Sequence, residues 1–100
     1  MKRKSFREFL SGVFQESTEV PIDKIRQAIF QYYSTAELMR TGANHSGKEL
    51  SSKYKNGFPL NEDEKTGLLN RGIEGKLKEW GNHRHKMFSL DRERNVARCF

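Results

Sequence analysis

Two histidines bracket an arginine near the C-terminal end of the chain, His83-Arg84-His85, with Lys86 next. Imidazoles titrate near neutral pH, so one can take a proton from a ribose hydroxyl while the other gives one to a leaving oxygen. Arg84 or Lys86 would stabilise the phosphorane between them, which is the chemistry of a metal-independent ribonuclease-like toxin. With His45 or Cys99 the same imidazoles supply the atoms of a zinc site. No cysteine-pair spacing accompanies them, however, and side chains at i and i+2 diverge on a helix. A solvated basic loop is the simpler reading of the cluster, so no catalytic residue is assigned and neither a metal nor a cofactor is expected.

Two further stretches carry fragments of phosphate chemistry. Residues 70–77, Asn-Arg-Gly-Ile-Glu-Gly-Lys-Leu, set glycines beside Arg71 and Lys76 as phosphate-cradling loops do. Aligned on Gly75-Lys76, a P-loop requires Gly at Asn70 and Ser or Thr at Leu77, and it requires a preceding strand. Asp63 with Glu74 and Lys76 has the residue types of a metal-dependent nuclease. Such a site needs fixed ligands around a shaped cavity, and here the residues fall in a helical pattern.

The strongest functional signal is positive charge beside an aromatic ring. Lys76, Lys78, Arg84, His85 and Lys86 surround Trp80, and Arg92, Arg94 and Arg98 continue the charge along what reads as a last helix. On a helix Arg94 and Arg98 share a face at i and i+4. These eight residues are the expected nucleic-acid contacts, made to the phosphate backbone. The chain has no zinc-finger, RRM or basic-zipper signature, and no helix-turn-helix at the usual spacing. A regulator or inhibitor acting on a host protein, of the kind mobile elements encode, is the alternative; its expected contacts are Phe6, Phe9, Ile25 and Tyr32.

The elements that must position these groups read as helices. Phe6, Phe9, Leu10, Val13 and Phe14 form one stripe over residues 5–16, with Ser5 as cap. Pro21 and Asp23 suit a first turn, and Ile22, Ile25, Ile29, Tyr32, Ala36 and Met39 follow at heptad-like intervals. That seam fits internal packing, and it also fits a homodimer; Ser34-Thr35 is where it would be interrupted. Residues 42–45 read as a turn, Ser46 and Glu49 as a capping box, and Asn56-Gly57 as a helix stop and loop.

Asn61 and Glu64 make a second cap pattern before Leu69, Ile73, Leu77 and Trp80. In that helix Gly67, Gly72 and Gly75 each cost roughly 0.8–1 kcal/mol against alanine. Either the helix breaks near Gly72, or a small residue is required where another backbone comes close. Ser89 would cap the last helix, which carries Leu90, Val96, Ala97 and Phe100.

The fold class expected is therefore all-α, a small single-domain bundle of four to five short helices over residues 1–100. Hydrophobic residues make up 34% of the chain and charged residues 32%, so the core must be thin. Nineteen Lys and Arg against thirteen Asp and Glu leave a net charge of +6, which attracts an acidic partner, nucleic acid or nucleoprotein first among them. Eleven of those cations against seven acids fall in residues 51–100. A lone cysteine, Cys99, excludes a disulfide-stapled secreted domain and fits a reducing cytoplasm. Met1-Lys2-Arg3-Lys4 has the charge of a signal-peptide start, but Arg7 and Glu8 interrupt the apolar run it would need, and no stretch has the length of a membrane span.

Overall fold

The computed structural model describes residues 4–15, 17–82 and 87–99, with the backbone alone at position 82. Among the described residues there are five helices and one three-stranded sheet: α1 (Phe6–Val13), β1 (Glu19–Pro21), α2 (Ile22–Tyr32), α3 (Thr35–Asn44), α4 (Lys48–Lys55), α5 (Glu62–Asn82), β2 (Phe88–Asp91) and β3 (Val96–Cys99). The chain is mostly helical, but the all-α expectation is corrected by the sheet. Contacts group the residues into two compact units, Met1–Tyr32 with Leu77–Phe100, and Tyr33–Lys76.

In the first unit, Ser5 caps α1 by accepting the Glu8 N–H at 3.2 Å, and the expected stripe turns inward: Phe6, Leu10 and Phe14 are buried. They join Ile22, Ile25, Ala28 and Ile29 of α2, Leu77, Phe88 and Ala97 in one core. Phe6 contacts Trp80 at 5.0 Å between ring centroids and meets Tyr32 edge-on at 5.3 Å. The seam expected to run from Ile22 to Met39 is two helices, because Ser34 accepts the Glu37 N–H at 3.1 Å and starts α3 afresh.

The sheet has the order β1-β3-β2, with both pairings antiparallel. Residues expected to form the last helix are a hairpin. Its connection, residues 92–95, is closed by Asp91, whose carboxylate accepts the Arg94 N–H at 3.2 Å, and by Asn95 at φ 57, a left-handed conformation that asparagine tolerates. Phe88, Leu90, Ala97 and Val20 lie on the core face, and Ser89, Arg98 and Glu19 make a cross-strand row on the other.

Strand β1 is an edge. The Cys99 N–H bonds the Thr18 carbonyl at 2.8 Å and the Ile22 N–H bonds the Asn95 carbonyl at 2.9 Å, so the peptide groups of Glu19 and Pro21 face away from β3. Pro21 has no N–H. Ser17 takes up both groups of Glu19, accepting its N–H at 3.2 Å and donating to its carbonyl at 2.8 Å. The edge is thereby closed to strand addition.

The second unit holds α3, α4 and the first part of α5. A methyl group built on Gly42 would collide with the Leu68 carbonyl, and one on Gly72 with the Leu38 carbonyl. The glycines therefore mark where α3 and α5 touch backbone to backbone, the second of the two readings their positions allow; α5 does not break at Gly72. Its buried face is Leu68, Gly72 and Gly75, continuing to Leu77 and Gly81 in the first unit, while Leu69, Ile73 and Trp80 of the expected stripe are half-buried. Large apolar residues mislead here because the closest packing uses the absent side chains.

Capping is reciprocal at the start of α5: Asn61 Oδ1 accepts the Glu64 N–H at 2.8 Å and Glu64 Oε1 accepts the Asn61 N–H at 3.0 Å. The Ser46–Glu49 box is not formed. Gly47 is the N-cap of α4, and Ser46 Oγ donates instead to the Gly42 carbonyl at 2.6 Å. The turn expected over residues 42–45 is the last turn of α3, with His45 as C-cap.

Candidate nucleic-acid interface

Of the cations expected to meet nucleic acid, three lie on one hairpin. Arg92 and Arg94 are in its turn and Arg98 is on β3, on the face of the sheet away from the core. Two of them converge on one acid. Arg94 donates to both oxygens of Glu19, at 2.9 and 3.4 Å, and Arg98 Nε stands 3.9 Å from the same carboxylate. Two guanidiniums on one carboxylate leave a net positive group, and each guanidinium carries five N–H donors. Both arginines remain well exposed, at 63% and 71% of their side-chain surface. The i, i+4 helical face expected for this pair is replaced by a turn residue and a strand residue held together by Glu19.

Lys76 and Lys78 are on α5. Lys78 is exposed, and Lys76 places its ammonium 4.8 Å from the centre of the Tyr33 ring. Arg84, His85 and Lys86, with His83, lie outside the described residues. Trp80 is half-buried against Phe6, with the Arg7 guanidinium 5.8 Å over its ring.

Among the four residues expected to meet a protein partner, Phe6 and Ile25 are core residues with 3% and 0% exposure. Their apolar atoms are already taken up by their own unit. Phe9 and Tyr32 are half-buried, their rings tilted against each other at 5.5 Å between centroids, and the Tyr32 hydroxyl donates to the Lys4 carbonyl. Among the described residues the exposed large apolar side chains are different ones: Phe30 on α2 and Phe58 after α4, at 54% and 61%. For Phe30 the signal lay in its position, off the Ile22-Ile25-Ile29 stripe.

The phosphate-cradle fragment, residues 70–77, is helical throughout. Its N–H groups belong to the helix, and Gly72 and Gly75 serve contacts with Leu38, Thr41 and His45. No group of three His, Cys, Asp or Glu side chains among the described residues is arranged to hold a metal ion.

Lys53 and Glu64 form an ion pair in which each partner favours the charged form of the other. The Asn61 N–H and then the Lys53 ammonium, at 2.9 Å, hold the Glu64 carboxyl below its ordinary range, and the hydrogen bond to Glu64 raises Lys53. This pair braces α4 against α5 within the second unit.

No family model, curated protein or solved structure matches the chain.

Proposed function

We propose that the protein is a small, basic, non-enzymatic binding protein whose Arg92, Arg94 and Arg98 hairpin engages the phosphate backbone of nucleic acid, alone or within a nucleoprotein. The observation that carries this reading is the gathering of three exposed arginines on one hairpin, which also carries Asp91 and Glu93, with one carboxylate, Glu19, orienting two of the three. Arginine suits phosphate because its planar fork donates two parallel hydrogen bonds. The net charge of +6 draws such a partner from a distance.

The test is a titration of the full chain into labelled RNA and DNA of mixed sequence at low salt. Binding is expected, and the triple variant Arg92→Gln, Arg94→Gln, Arg98→Gln should weaken it while staying folded, since exposed charges contribute under about 1 kcal/mol each to stability. No affinity for RNA or DNA overturns the reading. The second reading, a regulator or inhibitor of a host protein, would then take its place; it is favoured by exposed Phe30 on α2, the sort of aromatic anchor that partner pockets fill.

A further inference from the structure

Arg94 and Arg98 meet the same carboxylate on unequal terms. Arg94 donates from both terminal nitrogens, one to each oxygen of Glu19, at 2.9 and 3.4 Å, so the end-on fork that would grip a phosphate is already occupied. Arg98 stands 3.9 Å from that carboxylate at Nε, beyond hydrogen-bond reach. Its donors are not committed to Glu19, and 71% of its side-chain surface is exposed.

The carboxylate is held in place from behind. Ser17 bonds both backbone groups of Glu19, and the glutamate side chain is only 29% exposed. In the register of β1 on β3, Glu19 lies directly opposite Arg98. Hydrogen bonds run between Thr18 and Cys99 and between Ile22 and Asn95, so Glu19 and Arg98 form a non-hydrogen-bonded pair, the kind whose side chains lie closest. Opposite charges placed so attract each other across the strands. Arg94, reaching over from the hairpin turn, is what takes up the carboxylate instead. On its other side Arg98 is opposite Ser89, which is exposed and uncharged. Of the acids on the hairpin, Asp91 turns its carboxylate onto the Arg94 peptide N–H and Glu93 is exposed in the turn.

We infer that Arg98 is a residue through which the hairpin touches phosphate, and that Arg94 is a positioning residue which keeps Glu19 from capturing Arg98. The inference rests on the nucleic-acid reading above and divides the labour within that site. Without Arg94, the carboxylate has one guanidinium left to pair with, and that guanidinium is lost to the phosphate.

The experiment measures the salt dependence of affinity for labelled RNA and DNA of mixed sequence, using the full chain and a set of glutamine variants whose folding circular dichroism checks. Arg98→Gln removes one contact, and the log–log slope should become shallower by about 0.7–0.9. Arg94→Gln should produce the same loss although Arg94 is not itself the contact. Adding Glu19→Gln to Arg94→Gln should restore the wild-type slope, because Arg98 is then released. Adding Glu93→Gln to Arg94→Gln changes the net charge equally and should restore nothing. A hairpin merely loosened by loss of Arg94 would stay loosened in both double variants, so the rescue reads positioning and not stability. The inference is overturned by an unchanged slope in Arg98→Gln or in Arg94→Gln, by failure of Glu19→Gln to rescue, or by equal rescue from Glu93→Gln; each leaves the nucleic-acid reading standing. Absence of wild-type binding to either probe overturns that reading, and the division of labour with it.

Discussion

A methyl group on Gly72 has nowhere to go, because the Leu38 carbonyl of α3 occupies the space, whereas Gly67, five residues earlier on α5, has nothing within 4 Å of that position. The two glycines therefore predict opposite outcomes for one substitution. Gly72→Ala should destabilise by about 1–3 kcal/mol or more, as overpacking does. Gly67→Ala should stabilise by roughly 0.4–1 kcal/mol, from helix propensity and reduced freedom of the unfolded chain. Urea denaturation of both variants checks the pair. A second residue-scale prediction concerns acid. The Glu64 carboxyl titrates lower in the folded chain than its unfolded value of about 4.3, so its contribution is present above that pH and is lost as pH falls through the folded value. The difference in melting temperature between wild type and Glu64→Gln should thus be largest near neutral pH and shrink below about pH 4. The Asn61–Glu64 cap was legible in the sequence because capping is local chemistry; the close approach at Gly72 was legible only as one of two readings, since the crossing of two helices decides between them.

At the scale of elements, α1, α2 and α5 were legible from apolar periodicity, and the interruption at Ser34 from its competing hydroxyl. The hairpin was not. Asp91-Arg92-Glu93-Arg94 alternates charge in a way a helix accepts, and the strands that flank it are short, with Val96 and Ala97 adjacent rather than alternating. What decides the matter is long-range: β3 pairs with β1, from the far end of the sequence, and that pairing is invisible locally. The retrospective local cue is Asn95, whose φ of 57 is the left-handed position of the turn. Asn95→Gly should be neutral or slightly stabilising, whereas Asn95→Ile should cost about 1–2 kcal/mol by forcing a β-branched residue into that conformation. Thermal melts of the two variants test this, and equal melting temperatures would contradict the turn. Losing the hairpin would also separate Arg92 and Arg94 from Arg98, so the isoleucine variant links the fold to the proposed interface.

Over the whole molecule, the excess of positive charge was legible from composition, and its distribution was only partly so. The sequence placed Arg92, Arg94 and Arg98 together for the wrong local reason, a shared helix; the structure puts all three on one hairpin and joins Arg94 and Arg98 through a single glutamate. Phe6 and Ile25 were equally ambiguous as anchors, because an apolar stripe reads the same whether its own chain or another covers it. Electrostatic binding has a signature that separates it from an apolar docking surface. The most direct measurement is the salt dependence of affinity for nucleic acid, compared between the wild-type chain and the Arg92→Gln, Arg94→Gln, Arg98→Gln variant. Log affinity should fall linearly with log salt, and the slope should be shallower in the variant by about 0.7–0.9 for each phosphate contact removed. Binding that is insensitive to salt, or identical slopes in the two proteins, would contradict the assignment of the arginine hairpin as the nucleic-acid contact.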